Sequence, residues 1–479
     1  MRMRLAGVLC AAALLIGANP LGAQQVRRPN IVFILIDDMG WRDVGCNGSR
    51  FYETPNIDAL ASRGMKFTNA YAACPVCSPS RAAILTGKYP ARLHITDWIP
   101  GDPSVPSQKL RGPDFRKHLP LEEYNLARVL KDAGYRSASI GKWHLGGQPF
   151  WPEHQGFDIN VGGTETGSPP GGYFYFRNAR IAAHDPHEYL TDRLTSEAEA
   201  FIEQNRDHPF FLYLAHYAVH IPLEARQQLI GHYAAKIRAD DPQDNAIYAA
   251  MVQSVDESVG RVAKKLDDLK LSDHTLVIFT SDNGGLSVRQ QANTPATSNA
   301  PLREGKGYLY EGGIREPCVI CYPGVIRPGS LCDAPIIGAD FYPTILDLLG
   351  LQPKAGQIVD GVSIVSLLEQ TGTPERDALF WHYPHYSGQG GNPCGAVRQG
   401  DWKLIQFYED NHTELYNLAA DLGEKENLTS RYPDRAAGLQ RRLQDWLKSV
   451  DAQMPVANPD FGKPGVTPAA QARVDRPDD

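Results

Sequence analysis

The sequence lacks a long apolar run after residue 23, and it has no excess of positive charge. Without such a run, we expect no membrane-spanning helix in the rest of the chain. The 55 acidic residues outnumber the 48 lysines and arginines, which gives a net charge of −7. Non-specific nucleic-acid binding usually needs a basic face, so this balance argues against that class of function.

Cysteine is also scarce, with 8 residues among 479. Cys10 lies near the N-terminus, so seven remain beyond residue 23, and an odd number cannot all form disulfides within one chain. The sequence does not identify the pairs, and free buried cysteines are as expected as bridges. Apart from Cys77, the cysteines concerned are Cys46, Cys74, Cys318, Cys321, Cys332 and Cys394.

Residues 1–23 resemble a secretory signal peptide. Arg2 and Arg4 precede the apolar stretch "LAGVLCAAALLIGA", and "LGA" before Gln24 fits a cleavage site. An uncleaved anchor is the alternative, but the apolar stretch is shorter than the roughly 20 residues that a spanning helix needs. We therefore expect an exported protein, periplasmic or extracellular.

The region 27–372 alternates apolar strands with amphipathic helices. Continuous apolar runs such as "NIVFILIDDMG" and "TLVIFTSDNGG" are typical of strands that are buried on both faces. Helical patterns lie between these strands, for example "EEYNLARVLKDAGY". The pattern predicts an α/β fold, with a large, mostly parallel sheet flanked by helices.

The pattern changes near residue 373. Short aromatic and β-branched runs, separated by Gly, Asp and Asn turns, predict a smaller C-terminal α+β domain over 373–452, with an antiparallel sheet plus a helix. Leu439, Leu443, Trp446 and Leu447 share one face of that helix. The region 453–479 is rich in Pro, Gly and Asp, and we expect an irregular tail.

Two pairs of oxygen-bearing residues follow buried strands. Asp37 and Asp38 come after the first strand, and Asp282 and Asn283 follow "TLVIFTS". Ligands gather at the carboxyl ends of parallel strands, and oxygen ligands suit a hard cation such as Ca²⁺ or Mg²⁺. One such pair alone would more often cap a turn, but the repeated pattern favours a metal site.

Lysines and histidines also follow predicted strands. Lys142 and His144 lie two apart in "GKWHLG", His216 and His220 follow "FFLYLA", and Lys306 lies between glycines that permit close approach to a ligand. Taken singly, each is more often a surface lysine or a hydrogen-bonded histidine. Their shared position at strand ends makes them candidates for catalysis.

The segment "CPVCSPSRAAILTG" begins with Cys74 and Cys77, three residues apart. A thioredoxin-like pair would need a small redox fold, which this chain does not predict. A zinc site would need two more ligands, and Cys318 and Cys321 lie in an apparent strand where side chains three apart face opposite ways. A structural disulfide at Cys77 stays open.

The run from Cys77 to Arg81, followed by "AAILTG", resembles the signature of type I sulfatases, which belong to the alkaline phosphatase-like superfamily. Further motifs of that family occur in its order. They are "RPNIVFILIDDMG", "GKWHLG", "SDNGG", "GKGYLYEGGIREP", "AVRQGDWKLI" and "ELYNL". The resemblance covers nearly all of the chain after the signal peptide.

The resemblance implies a role for each matching residue. A maturation enzyme oxidises Cys77 to formylglycine, an aldehyde whose hydrate is the nucleophile and contacts the metal. Arg81 steadies it, and His144 hydrogen-bonds it. The residues that hold Ca²⁺ are Asp37, Asp38, Asp282 and Asn283, and those that bind the sulfate oxygens are Lys142, His220 and Lys306.

The implied function is hydrolysis of a sulfate ester on a carbohydrate. One rival is a phosphonate or phosphate ester hydrolase of the same superfamily, and another is an inactive carbohydrate-binding homologue. His382, His385 and Asn392 in "FWHYPHYSGQGGN" are expected to contact the sugar, with a structural aromatic turn as the alternative.

Overall fold

The computed structural model describes residues 28–185 and 187–463. The predicted signal peptide, 1–23, lies outside the described residues, as does the predicted tail from residue 464 onwards. Among the described residues, no helix combines the length and the hydropathy that crossing a membrane requires.

Two main sheets organise the described chain. One has nine strands, in the order β10-β2-β8-β7-β1-β6-β4-β5 with β9 also on β2, and the other has four, β11-β12-β13-β14. The strands are β1 Asn30–Ile36, β2 Met65–Tyr71, β3 Leu110–Arg111, β4 Arg136–Gly141, β5 Ile159–Val161, β6 Phe210–Ala215, β7 Thr275–Ser281, β8 Arg315–Cys321, β9 Ser330–Cys332, β10 Ile336–Ile337, β11 Leu379–Tyr383, β12 Cys394–Gln399, β13 Trp402–Phe407, β14 Thr413–Asn417 and β15 Val456–Ala457.

The nine-stranded sheet is parallel except at β8, which runs antiparallel to both β2 and β7. All seven residues of β1 are buried, as expected for a strand covered on both faces. The predicted α/β fold with a mostly parallel sheet is therefore confirmed.

Helices cover both faces of this sheet. One apolar layer packs α1, α5, α6 and α7 against it, and the other packs α2, α4, α9 and α10 on the opposite face. The helices are α1 Pro55–Arg63, α2 Cys77–Thr86, α3 Pro90–Leu93, α4 Leu126–Asp132, α5 Leu190–Gln204, α6 Gln227–Ala234, α7 Ala246–Asp268, α8 Glu311–Ile314, α9 Phe341–Leu348, α10 Val365–Leu368 and α11 Pro433–Ser449.

The C-terminal region forms the predicted antiparallel sheet plus a helix. Leu439, Leu443 and Leu447 of α11 pack on Val397 and Leu404 of the sheet. Val456 and Ala457, in the predicted irregular tail, instead form β15, which pairs with β3 of the first region. The division of the chain at residue 373 stays a prediction.

Buried charges link the two sheets. Lys403 of β13 lies 2.9 Å from carboxylate oxygens of both Glu311 and Glu424, and none of these side chains is exposed. Arg315 also pairs with Glu311, at 2.7 Å. Burying charges is favourable only when they are paired and hydrogen-bonded, so this cluster fixes the position of α8 against the second sheet. All seven cysteines among the described residues are free.

Candidate active site

The register of β1 and β7 brings two pairs of candidate ligands together. Ile36 pairs with Ser281, so Asp37 and Asp282 leave neighbouring parallel strands at the same edge. The backbone N–H of Asp38 donates to Asp282 Oδ1 at 3.2 Å, and Asn283 Nδ2 donates to Asp38 Oδ1 at 2.7 Å. The predicted meeting of these four residues is what the strand pairing produces.

Cys77 is the first residue of α2 and is 2% exposed. Its Sγ lies 3.5 Å from Asp37 Oδ1. Burial raises the pKa of the Cys77 thiol to about 12, so an unmodified thiol is protonated at neutral pH. Arg81, one helical turn later, donates from Nε to Asp282 Oδ2 at 2.8 Å and from a terminal nitrogen to the Lys142 carbonyl at 3.1 Å.

Two lysines complete the charge balance around Cys77. Lys142 Nζ lies 2.6 Å from Asp37 Oδ2, and Lys306 Nζ lies 2.7 Å from Asp38 Oδ2. Burial alone would raise the pKa of Asp38, but the charges of Lys306, His220 and Lys142 outweigh it and lower that pKa to about 2. Three carboxylates therefore face three cations, with Arg81 opposite Asp282. A divalent cation added to this balanced set would make the site attractive to an anion.

The two histidines are held in defined orientations. His144 Nε2 donates to the Ile99 carbonyl at 2.6 Å, which leaves Nδ1 buried and without a partner. His220 Nδ1 lies 2.7 Å from the Ile221 carbonyl, and its Nε2 lies 3.6 Å from Asp38 Oδ2. Burial, with the nearby lysine charges, lowers the pKa of His220 to about 3 and holds that of His144 well below its usual range.

The site suits a hard cation. Ligand atoms of Asp37, Asp38, Cys77 and His220 lie within 4.8 Å of one another. Asn283 Oδ1 next to them is buried and has no hydrogen-bond partner, although a buried amide oxygen is normally paired. Carboxylate and amide oxygens are the ligands that Ca²⁺ takes, so a cation would supply the missing partner.

The candidate residues of the C-terminal region, His382, His385 and Asn392, lie apart from the Cys77 cluster. His382 is buried, with Nδ1 2.7 Å from Tyr408 Oη and Nε2 2.9 Å from the Gln453 carbonyl, so both ring nitrogens are engaged. His385 Nε2 lies 2.8 Å from Thr96 Oγ1 and borders a small polar cavity. Within the described residues, neither histidine contacts the Cys77 cluster, and Asn392 is exposed.

The loop between β11 and β12 nevertheless contacts Gly307, the residue next to Lys306. A Cβ at Gly307 would lie 2.2 Å from Ser387 Oγ, and one at Gly391 would lie 1.9 Å from the Gly307 carbonyl oxygen. His216, by contrast, bonds Ser258 of α7 at 2.9 Å and lies outside the cluster.

Three contacts at the site were not found from the sequence. The Ser168 hydroxyl lies 3.3 Å from His220 Nδ1, the Ser78 hydroxyl donates to the His144 carbonyl at 2.8 Å, and the Ile99 carbonyl orients the His144 ring. Ser78 could have been noted because it follows Cys77 directly. The other two depend on loop conformation, for which the sequence gives no periodic signal.

A buried cysteine at a helix start, a cluster of possible cation ligands and paired lysines at the carboxyl edge of an α/β sheet are typical of a hydrolase of anionic esters. Residues 29–351 match the family model described as Sulfatase, and residues 305–453 match N-sulphoglucosamine sulphohydrolase, C-terminal. The chain belongs to the sulfatase family, within the alkaline phosphatase-like superfamily, and is a sulfatase enzyme.

Individual relatives agree with this assignment. Human N-acetylgalactosamine-6-sulfatase is 34% identical, over 86% of this chain and 78% of its own. Human arylsulfatase A is 32% identical, over 91% of this chain and 90% of its own. The crystal structure of Ps i-CgsB in complex with k-i-k-neocarrahexaose aligns with a TM-score of 0.74 and 29% identity, over 88% of this chain and 93% of that one.

Proposed function

We propose that this enzyme removes sulfate from a carbohydrate, with formylglycine made from Cys77 as its nucleophile. In the proposal, Ca²⁺ is held by Asp37, Asp38, Asp282 and Asn283. The observation that carries it is the position of Cys77 Sγ, 3.5 Å from Asp37 Oδ1 and at the start of a helix. The first-turn N–H groups of a helix and the balanced charges around this atom favour an incoming anion.

Formylglycine and Ca²⁺ would supply the groups needed to attack the sulfate ester. At Cys77, hydrated formylglycine would supply two hydroxyls on one carbon, and Ca²⁺ held by Asp37, Asp38, Asp282 and Asn283 would lower the cost of negative charge beside them. A serine would lack the second hydroxyl, which explains the need for an oxidised cysteine.

Side chains of the protein bind the anion and accept the proton of the nucleophile. Lys142 and Lys306 bring two ammonium groups to the place where the sulfate oxygens would bind. Because His144 Nε2 donates to the Ile99 carbonyl, its Nδ1 is free to accept a proton from the nucleophile. Arg81 holds Asp282 and the Lys142 backbone in place.

Lys306 is the better donor to the departing alcohol. His220 Nδ1 lies 2.7 Å from a carbonyl oxygen and so carries the ring proton, which leaves Nε2 without one when the ring is neutral. Lys306 is held charged by Asp38 and has protons to give. In this proposal, His220 accepts a hydrogen bond or contacts the cation, and Lys306 protonates the leaving group.

The substrate class is supported by the relatives. One is named for N-acetylgalactosamine sulfate, and one solved structure contains a neocarrahexaose. The signal-like residues 1–23 support export to the periplasm or the outside of the cell, where sulfated polysaccharides are met. A formylglycine-generating or equivalent maturation enzyme is the implied partner.

The decisive experiment is a peptide mass of protein produced together with its maturation enzyme. Trypsin releases Phe67–Arg81, and we expect the thiol at Cys77 to be replaced by an aldehyde. A wild-type peptide that keeps its thiol in an active preparation, or desulfation that survives Cys77→Ala, contradicts the proposal. A kcat/KM for aryl phosphonate that exceeds that for aryl sulfate by orders of magnitude would instead support the phosphonate hydrolase.

A further inference from the structure

Two loops flank the catalytic residues at the carboxyl edge of the large sheet. The first, 162–189, follows β5, and its Ser168 and Gly167 touch His220 and His144. The second, 284–300, follows β7, and its Gly285 carbonyl accepts the Lys306 N–H at 3.1 Å. Each loop thus has at least one residue in contact with the site, and its other side chains are candidates for the rim of a substrate entrance.

Each loop carries an exposed arginine whose guanidinium has no partner in the part of the chain that the structure describes. Arg177 lies on the first loop and Arg289 on the second, and neither has an ion pair or a side-chain hydrogen bond within the described residues. Arg180, on the same loop as Arg177, shows the usual alternative by pairing with Glu153 at 2.7 Å. On a chain with a net charge of −7, acidic partners are plentiful. Two unpaired guanidiniums at this entrance are complementary to an anion that comes from outside.

The first loop also presents an aromatic ring. Tyr175, two residues before Arg177, is 68% exposed, which is the largest value among the exposed large hydrophobic residues described. An exposed ring and an exposed guanidinium on one loop suit a sugar ring that carries an anionic group, because an aromatic ring packs on the apolar face of a sugar and a guanidinium binds the anion.

The second loop is hydrogen-bonded to the C-terminal region. Gln290, next to Arg289, accepts a hydrogen bond from Gln389 at 2.9 Å. Gln389 in turn lies against Gly307, beside the catalytic Lys306. This contact places the Arg289 backbone along the same rim as Lys306.

We propose that Arg177 and Arg289 bind anionic groups of the substrate other than the sulfate that is removed. This inference rests on the proposed function and narrows it: the substrate is an oligosaccharide or polysaccharide with at least two anionic groups, and Tyr175 supports one of its sugar rings. The second group is a sulfate or a carboxylate, since a guanidinium binds both in the same bidentate way.

The test compares substrates that differ only in their additional charge. The probes are para-nitrophenyl sulfate, an oligosaccharide with one sulfate, the same oligosaccharide with two sulfates, and one with a single sulfate and a uronate. For Arg177→Gln and Arg289→Gln, we expect the ratio of kcat/KM for the doubly charged oligosaccharides to that for para-nitrophenyl sulfate to fall about tenfold each, chiefly through KM. If the ratio falls more for the disulfated oligosaccharide, the second anion is a sulfate; if it falls more for the oligosaccharide with a uronate, it is a carboxylate.

Arg327→Gln is the matched control. Arg327 is also exposed and without a side-chain partner, but it follows β8, which runs antiparallel, so it lies at the opposite edge of the sheet. We expect its ratio to equal that of the wild type. A ratio unchanged in Arg177→Gln and Arg289→Gln, or lowered equally in all three variants, overturns the inference.

A binding measurement separates this inference from the proposed function. In the Cys77→Ala background, calorimetry with the disulfated oligosaccharide should show Kd raised about tenfold by each rim substitution and unchanged by Arg327→Gln. If the wild type cleaved no sulfate ester but this pattern of Kd values held, the proposed sulfatase mechanism would be wrong. The anion-binding role of Arg177 and Arg289 would still be supported. Equal Kd values in all variants would contradict the anion-binding role of Arg177 and Arg289, whether or not the enzyme is active.

Discussion

Lys403 and Glu311 form an ion pair of 2.9 Å between β13 and α8, and neither side chain has any exposed surface. The same α8 contributes the Gly313 carbonyl that accepts the Gly284 N–H at 3.0 Å, next to Asn283. The C-terminal sheet thus supports the segment that carries a proposed metal ligand.

Replacing Lys403 should destabilise the protein severely. Lys403→Met leaves Glu311 and Glu424 buried near each other without their shared cation, and breaking such a buried pair costs about 3–5 kcal/mol. Urea unfolding measures the loss. Lys264→Met is the control: its pair with Asp268 is exposed, so about 0.5 kcal/mol or less is expected. Equal stability of the two variants would contradict the structural role of Lys403.

Calcium should bind to and stabilise the folded protein. A ligand that binds only the folded state adds about 2.7 kcal/mol to the free energy of unfolding at about 100 times its Kd. Asp38→Asn should weaken Ca²⁺ binding by more than about tenfold in calorimetry, because one charged ligand is lost. Asp240→Asn, at a side chain that is 60% exposed, should bind as the wild type does. Full affinity in Asp38→Asn would place the cation elsewhere.

His144 and His216 are both buried histidines, yet their replacement should have opposite effects. His144→Gln should lower kcat by about 10²–10⁴, because the free Nδ1 that accepts the proton is lost. His216→Gln removes a contact to Ser258 in the core, so about 1–3 kcal/mol of stability should go while the folded protein keeps its kcat. Single-turnover rates and urea midpoints of both variants check this. A catalytic defect in His216→Gln alone would reverse the assignment.

The buried carboxyl group of Asp97 should make the free energy of unfolding depend on pH. Burial raises its pKa to about 8, against hydrogen bonds from Tyr383 Oη at 3.0 Å and the Trp98 N–H at 2.9 Å. The folded state therefore keeps a proton that the unfolded chain releases near pH 4, so its stabilising contribution is present at low pH and lost as pH rises towards 8. Relative to Asp97→Asn, the wild type should lose up to about 1.4 kcal/mol per pH unit between pH 5 and 7.

Urea unfolding of both proteins at several pH values measures that difference. Exposed Asp240 provides Asp240→Asn as a control, whose difference from the wild type should vary little over the same range. A constant difference between Asp97→Asn and the wild type would show that Asp97 is ionised throughout.

The parts of the site that lie at strand ends could be predicted from the sequence. Asp37 and Asp282 each follow a continuous apolar run, and the parallel pairing of such strands brings their ends together. The antiparallel insertion of β8 was not evident, because a buried strand has the same apolar pattern in either direction.

The contacts that orient the histidines could not be predicted. The Ile99 carbonyl and Ser168 hydroxyl reach the site through loops whose conformation depends on the whole fold. His382 illustrates the same limit. Its place in an aromatic run suggested the substrate rim, but hydrogen bonds to Tyr408 and Gln453 occupy both ring nitrogens.

The near-complete enclosure of Cys77 has a consequence for biogenesis. In the proposed maturation, an oxidising enzyme would have to reach Cys77, a residue that is 2% exposed and lies at a helix start beside two ion pairs. We therefore expect conversion of Cys77 to precede folding, so that chains that fold without it keep the thiol and stay inactive. Adding a maturation catalyst to purified, folded material should then restore nothing, whereas unfolding and renaturing in its presence should.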